Sequence, residues 1–372
     1  MRHSFALAGV TGCLASLALV ACGGGGSSTM TAAPTTAASG YASTPLISNR
    51  NAANNPYSTA NVDARLVNAW GIAFNPQGFV WVANNGSSTS TLYDGDGVRQ
   101  SLVVAIPAGA SGSAAPTGIV FNSTQAFPVN QAGVTAPAVF LFAGEGGTVS
   151  AWSPTVNANS AVLVVDRAAE GKAYKGLALA SAGGAPRLYA ADFHNGVVDV
   201  YDGSFAPVVR AGAFVDPQLP AGYAPFGIQA IGNQIIVAYA KQDAQAADEV
   251  AGPGLGAVDV FDTAGTLTAR LIAPGGKLDA PWGIALAPAD FGTFANDLLI
   301  GNFGDGRINA FDPATGAWKG ALADGNGTPI VIDGLWGIAF GNGINAQPTN
   351  TLFYAAGPND ESDGVYGRID FH

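Results

Sequence analysis

The chain has 372 residues, a formal net charge of −11 and only 11% charged residues, against 51 glycines. That acidic balance argues against a nucleic-acid partner, whose phosphates require lysine and arginine. Both cysteines, Cys13 and Cys22, fall within the first 22 residues, so everything after them lacks a disulfide, a cysteine nucleophile or a thiolate zinc site.

Taken in order, the chain opens with a short basic start, Arg2, and an apolar run from Phe5 to Ala21. The run is short for a membrane span and reads as a signal segment, residues 1–21. It ends Leu19-Val20-Ala21-Cys22, which resembles a bacterial lipobox. The resemblance implies cleavage before Cys22, acylation of that residue, and a membrane as partner through the lipid. The expected address is the cell envelope. Gly24 stands where an aspartate would imply inner-membrane retention, so the outer membrane is expected if the source is diderm. Residues 22–43 are mostly Gly, Ser, Thr and Ala, too poor in large apolar side chains to order themselves, and are expected to form a tether.

Residues 44–372 repeat one phrase. Trp70-Gly71-Ile72-Ala73-Phe74 returns in variant form around Gly118, Gly176, Gly227, Gly283 and Gly337, so the steps are 47, 58, 51, 56 and 54 residues. A strand-rich repeat near 50 residues predicts a six-bladed β-propeller of four-stranded blades, one all-β domain despite the length. The phrase is the innermost strand, small enough for a crowded axis. An apolar second strand follows, as at Phe79–Ala83 or Val139–Ala143. The third strand alternates with period two and ends in an aromatic and a turn, as in Val197-Val198-Asp199-Val200-Tyr201-Asp202, Ala257-Val258-Asp259-Val260-Phe261-Asp262 and Arg307-Ile308-Asn309-Ala310-Phe311-Asp312. Fourth strands are expected at Leu102–Ile106, Ala161–Val165, Pro207–Ala211, Leu267–Leu271 and Ala317–Leu322. The last repeat has no fourth strand of its own. The segment Thr44–Asn49 is expected to pair with Gly367–Phe371 and close the ring, sparing an open edge. Asp94, Asp202, Asp262 and Asp312 open the turns after third strands, a role that suits an aspartate better than metal binding there.

With these phrases in hand, the chain resembles the NHL-type six-bladed propellers. It resembles more closely an uncharacterised bacterial propeller family, sometimes associated with exosortase sorting signals. The match rests on Leu66–Ala73, Tyr174–Ala180, Ala224–Gln229, Ala280–Pro288, Gly301–Asn309 and Gly334–Trp336. The family implies a fold and no activity, so it assigns no catalytic residue here.

Candidate site residues come from the ring face where innermost strands start and second strands end. The starts carry Trp70, Thr117, Lys175, Phe226, Trp282 and Trp336. Trp70, Phe226, Trp282 and Trp336 could stack on a flat ligand or fill the space between blades. The second-strand ends are polar in every repeat and include Asn84, Glu145, Asp192 with His194, and Asn302 with Asp305. Asn84, Glu145, Asp192 and Asn302 are hard oxygen ligands, so they are the expected ligands of a calcium site at the channel mouth. No H-E-x-x-H, Walker or G-x-S-x-G motif occurs. Two functions follow. One is an exported, lipid-anchored binding or scaffold propeller that takes a protein or small molecule at the mouth. The other is a calcium-dependent hydrolase of lactones or related esters, with His194 or Asp305 as general base. The second rests on fold analogy, and whether the protein is an enzyme stays open at this point.

Overall fold

The computed structural model describes residues 39–51, 57, 59–112 and 114–372. The signal segment, Cys13, Cys22 and the tether as far as residue 38 lie outside the described residues. The rest is a six-bladed β-propeller. In each blade the innermost strand carries the repeated phrase: Ala69–Phe74, Pro116–Phe121, Tyr174–Ala182, Tyr223–Ile231, Pro281–Leu286 and Leu335–Phe340. Each packs on the innermost strand of the next blade, and the sixth packs on the first.

The phrase glycines explain why the repeat is legible. A Cβ on Gly71 would lie 2.5 Å from the carbonyl oxygen of Thr117. On Gly283 it would lie 2.6 Å from that of Trp336, and on Gly337 2.6 Å from that of Trp70. Backbone meets backbone around the axis, and only glycine leaves room for that approach. The core is distributed between blades. One apolar cluster, for instance, joins Leu141 and Val149 of blade 2 to Leu177 and Leu188 of blade 3.

The closing strand is Tyr41–Ser48, antiparallel to Val365–Phe371 in the sixth blade, with Thr44 opposite Arg368 and Tyr41 opposite Phe371. It starts three residues before the expected boundary, so residues 41–43 belong to the ring and not to the tether. The reason is Tyr41. Its hydroxyl donates to Phe291 O at 2.8 Å and accepts from Phe294 N at 3.0 Å, while its ring packs among Phe291, Phe294 and Phe371. One side chain thus ties blade 6 to blade 5.

Five blades have the four strands of the plan, two of them with a short fifth, and blade 3 departs from it. Its sheet contains only Tyr174–Ala182, Ala185–Asp192 and Val197–Asp202. The expected fourth strand at Pro207–Ala211 reduces to one bridge, Tyr201 opposite Pro207, and the segment is exposed. Two downstream anchors draw it off: Phe214 is buried, with its N–H on Gly265 O, and Arg210 donates to Ala264 O. These contacts outweigh the strand propensity of Val208-Val209.

The turn aspartates act as expected. One carboxylate oxygen of Asp202 accepts from Ser204 N and Ala206 N, and Asp262 and Asp94 repeat the pattern two and four residues on. These backbone donors hold Asp202 and Asp262 below the usual carboxylate range.

Candidate functional site at the channel mouth

On the face where the innermost strands begin, aromatic rings plug the channel. Trp70 stacks on Trp336 with centroids 3.7 Å apart, and Phe303 stacks on Trp336 from another side at 4.1 Å. Trp282 and Phe226 meet Trp336 edge-on. Trp70, Phe226 and Trp336 are buried, and Trp282 is half-buried. The four residues considered for ligand stacking therefore spend their ring faces on one another. Below the plug the channel narrows between Gly71, Gly118 and Gly337 and then opens on the far face as a funnel of about 370 Å³.

At the same ring position blade 3 carries Lys175, and the polar site is built on it. The side chain is buried, and its ammonium lies over the Trp70 and Phe193 rings at 5.4 and 5.9 Å. Nζ pairs with Glu145 Oε1 at 2.6 Å and Asp248 Oδ1 at 3.2 Å. Burial disfavours the ammonium, yet the charges of Glu145, Glu249 and Asp248 prevail and hold it protonated. Glu145 also accepts from Asn85 Nδ2 at 2.9 Å. Asn68 completes the rim: its amide donates to Glu361 Oε1 at 3.1 Å, and its oxygen accepts from Trp336 Nε1 at 3.1 Å. Trp282 Nε1 donates to Lys175 O at 2.9 Å. The plug and the polar rim are therefore one hydrogen-bonded unit drawn from all six blades.

Charge is unbalanced here. Among the described residues Lys175 is the ammonium that faces the carboxylates of Glu145, Asp248, Glu249 and Glu361, while Lys172, also on the cleft, is paired with Asp192 and Asp199. Burial pushes Glu249 up to about 7, with the Glu361 and Asp248 charges adding to it against the pull of Lys175. Burial also raises Glu361, where the Glu145 charge adds to it. Beside this group a cleft of about 460 Å³ opens between blades 2, 3 and 4, lined by Glu145, Lys172, Lys175, His194 and Asp248.

The expected calcium quartet is not assembled. Glu145 alone reaches the centre. Asn84 turns its amide onto Thr89 and Thr91 of its own blade, at 3.1 and 2.9 Å. Asp192 is buried against Lys172 and accepts from Ala173 N and Asn195 N. Asn302 donates to Lys277 O and Asp305 Oδ1. The amide nitrogens of Asn84 and Asn302 are thus spent locally, while their side-chain oxygens are buried without a hydrogen-bond partner. Among the described residues no group of three or more His, Cys, Asp or Glu is arranged to hold a metal ion. The two candidate bases also part: His194 lines the cleft with Nδ1 on Ala246 O at 3.1 Å, whereas Asp305 caps the turn at Arg307 N in blade 5. Sequence reasoning missed Asn68, Asp248, Glu249 and Glu361, of which Glu249 lies in a short extra strand, Glu249–Val250, and the others in connections.

It also missed a second polar set, at the middle of the third strands. The aligned strings above place Asp199, Asp259 and Asn309 in register between apolar neighbours, and this was the available signal. Asp199 accepts from Tyr174 and pairs with Lys172. Asn309 Oδ1 accepts from Trp318 Nε1. Asp259 is wholly buried, and neither of its oxygens has a hydrogen-bond partner.

No family model matches the chain. Among solved structures, a protein of unknown function from Bacteroides thetaiotaomicron is similar with a TM-score of 0.57 at 10% identity, covering 90% of this chain and 76% of its own. The PQQ-bound aldose sugar dehydrogenase of Streptomyces coelicolor is similar with a TM-score of 0.50 at 12% identity, covering 90% and 99%. At such identities these likenesses speak for the propeller fold alone. In sequence the chain is 34% identical over 322 residues to uncharacterized protein R648 of Acanthamoeba polyphaga mimivirus, covering 85% of this chain and 78% of that one. It is 32% identical over 335 residues to uncharacterized protein L690 of the same virus, covering 87% and 84%. With this identity over most of both lengths, the chain belongs to the family of propeller proteins that includes these two mimivirus proteins.

Proposed function

We propose that the protein is a binding module, exported and lipid-anchored through Cys22, whose ligand enters the cleft between blades 2, 3 and 4 and presents a cationic group to the carboxylate rim. The observation that supports this is the surplus of Glu145, Asp248, Glu249 and Glu361 over the ammonium of Lys175, with the cleft's other ammonium, Lys172, spent on Asp192 and Asp199, set against a sealed aromatic floor. A desolvated carboxylate without a counter-charge is costly, and an ammonium, a guanidinium or a divalent cation would relieve that cost.

Ligand binding to the native state alone raises stability by linkage, about 2.7 kcal/mol at a concentration a hundredfold above Kd. Thermal unfolding with spermidine, arginine methyl ester and calcium chloride is therefore the test, in the native chain and in Glu145→Gln. At least one probe is expected to raise Tm, and Glu145→Gln should reduce the shift. If none of the three moves Tm at millimolar concentration, the cationic-ligand reading fails. A shift untouched by Glu145→Gln places binding elsewhere.

The anchor has its own check. Cys22→Ala is expected to move the protein from the membrane fraction to the soluble one, or to stall its processing. Unchanged cleavage and retention would remove the lipid from this reading.

A further inference from the structure

Blade 3 ends where the other blades continue. Its outermost strand, Val197–Asp202, pairs on one side with Ala185–Asp192 and on the other only with a turn. Along that open side Val208 N donates to Val200 O, and Asp202 N donates to Ala206 O. Even-numbered residues of the strand therefore direct their backbone groups outward, as alternation in an antiparallel ladder requires. The next in the series is Val198, beyond the last bridge. The chain cannot supply the missing strand from its own Pro207–Ala211, because Arg210 and Phe214 hold that segment against blade 4.

What remains is a trough of about 520 Å³. Its apolar wall includes Val197, which is 42% exposed, and Val209, which is 92% exposed. Arg187 and Arg210 also line it. Arg187 donates to Pro186 O and Arg210 to Ala264 O, and their nearest carboxylates, Asp202 and Asp262, are bonded to their own turns. In a chain of net charge −11 two such arginines beside an open strand edge are a specific feature. They also oppose pairing with a second copy of the chain, because the same two cations would meet across the joint.

We propose that the open edge of blade 3 is a docking slot for an extended peptide strand of a partner protein, with apolar residues alternating with acidic ones. The guest extends the sheet beyond Val208, pairing with the end of the strand that is open at Val198. Main-chain bonds to the edge hold it, its apolar residues cover the valines, and its carboxylates meet Arg187 and Arg210. The slot shares no residue with the mouth cleft, so this inference stands or falls apart from the cationic-ligand reading.

The test is isothermal titration of the full chain with the blocked hexapeptide Glu-Val-Glu-Val-Thr-Val and with its analogue carrying lysine for glutamate. The acidic peptide is expected to bind one to one, and the lysine analogue at least about tenfold more weakly, a difference of ~1.4 kcal/mol. The charge reversal R187E, which spares the Arg210 anchor on Ala264 O, should shrink or invert that preference. Hydrogen exchange should report slowed exchange at the Val198 amide on binding of the acidic peptide. Equal binding of the two peptides, protection located elsewhere, or no heat at millimolar peptide would overturn the proposal. So would self-association of the free chain with protection at Val198, which would make a second copy the occupant.

Discussion

A chain beginning at residue 51 is expected to melt more than about 10 °C below one beginning at residue 39, or to show no cooperative transition at all. Deletion to residue 50 removes the closing strand and leaves Val365–Phe371 as a bare edge. It also removes two buried side chains, Tyr41 and Ile47, each contributing about 1.5–3 kcal/mol of apolar burial. With Tyr41 go the hydrogen bonds to Phe291 and Phe294, so the joint between blades 5 and 6 loses its pin. Asn49, which bonds Asp363 and the Gly364 N–H, is lost as well. At roughly 2–4 °C per kcal/mol for a large domain, even half of this sum is a large shift. Deletion to residue 38 spares every one of these contacts. The check is calorimetry on both truncations, with Tyr41→Phe as a finer probe of the hydroxyl. Equal transition temperatures for the two truncations would show that the ring does not depend on this strand.

How far the sequence could be read follows from where geometry forbids choice. The ring was legible because a Cβ at Gly71, Gly283 or Gly337 would collide with the neighbouring blade's backbone, so the phrase could not drift. The closing strand was legible because the sixth repeat had an edge to cover, though Tyr41 was taken for tether because its partners lie some 250 residues away. The mouth was half legible. Glu145 and His194 do line the cleft, but Asn84, Asp192 and Asn302 were placed there by phase alone. Phase locates a backbone position and not the direction of a side chain, and the hydrogen bonds of these three go to their own neighbourhoods and not to a common centre. Glu249 and Glu361 come from connections that follow no period, so alignment of the repeats could not find them. The missing strand of blade 3 was hidden for a related reason. Val208-Val209 has strand propensity, but the contact that defeats it, Phe214 on blade 4, is tertiary.

The third-strand set yields the second large effect. Asp259→Asn is expected to stabilise the protein at pH 8 by about 1–3 kcal/mol and to change little at pH 4. Burial is the main cause. It pushes the Asp259 carboxyl up to about 7, and the nearby charge of Asp216 adds to it, against the pull of Arg270 and a contribution from Tyr239. A carboxyl raised in the folded state lends its full stability below its unfolded pKa, near 3.8, and loses it as pH rises through about 7. Moving from 3.8 to about 7 corresponds to at most about 4 kcal/mol, and the lower range allows for relaxation around the charge. An asparagine has no charge to desolvate. The nearby Asp216 carboxylate is already paired with Arg270, Oδ2 to Nε at 3.2 Å, so removing the Asp259 charge leaves one matched ion pair there. Blade 5 already holds an asparagine, Asn309, at the aligned position. The turn aspartates Asp202 and Asp262 work with the opposite sign, since their lowered values lend stability that is lost as pH falls. They are common to both proteins and cancel in the difference. Chemical denaturation of the native chain and Asp259→Asn from pH 4 to 8 should therefore give a gap that opens with pH and levels off above about 7. A gap independent of pH would mean that Asp259 titrates as an ordinary carboxyl, and that its burial between blades 3 and 4 is relieved by something other than a proton.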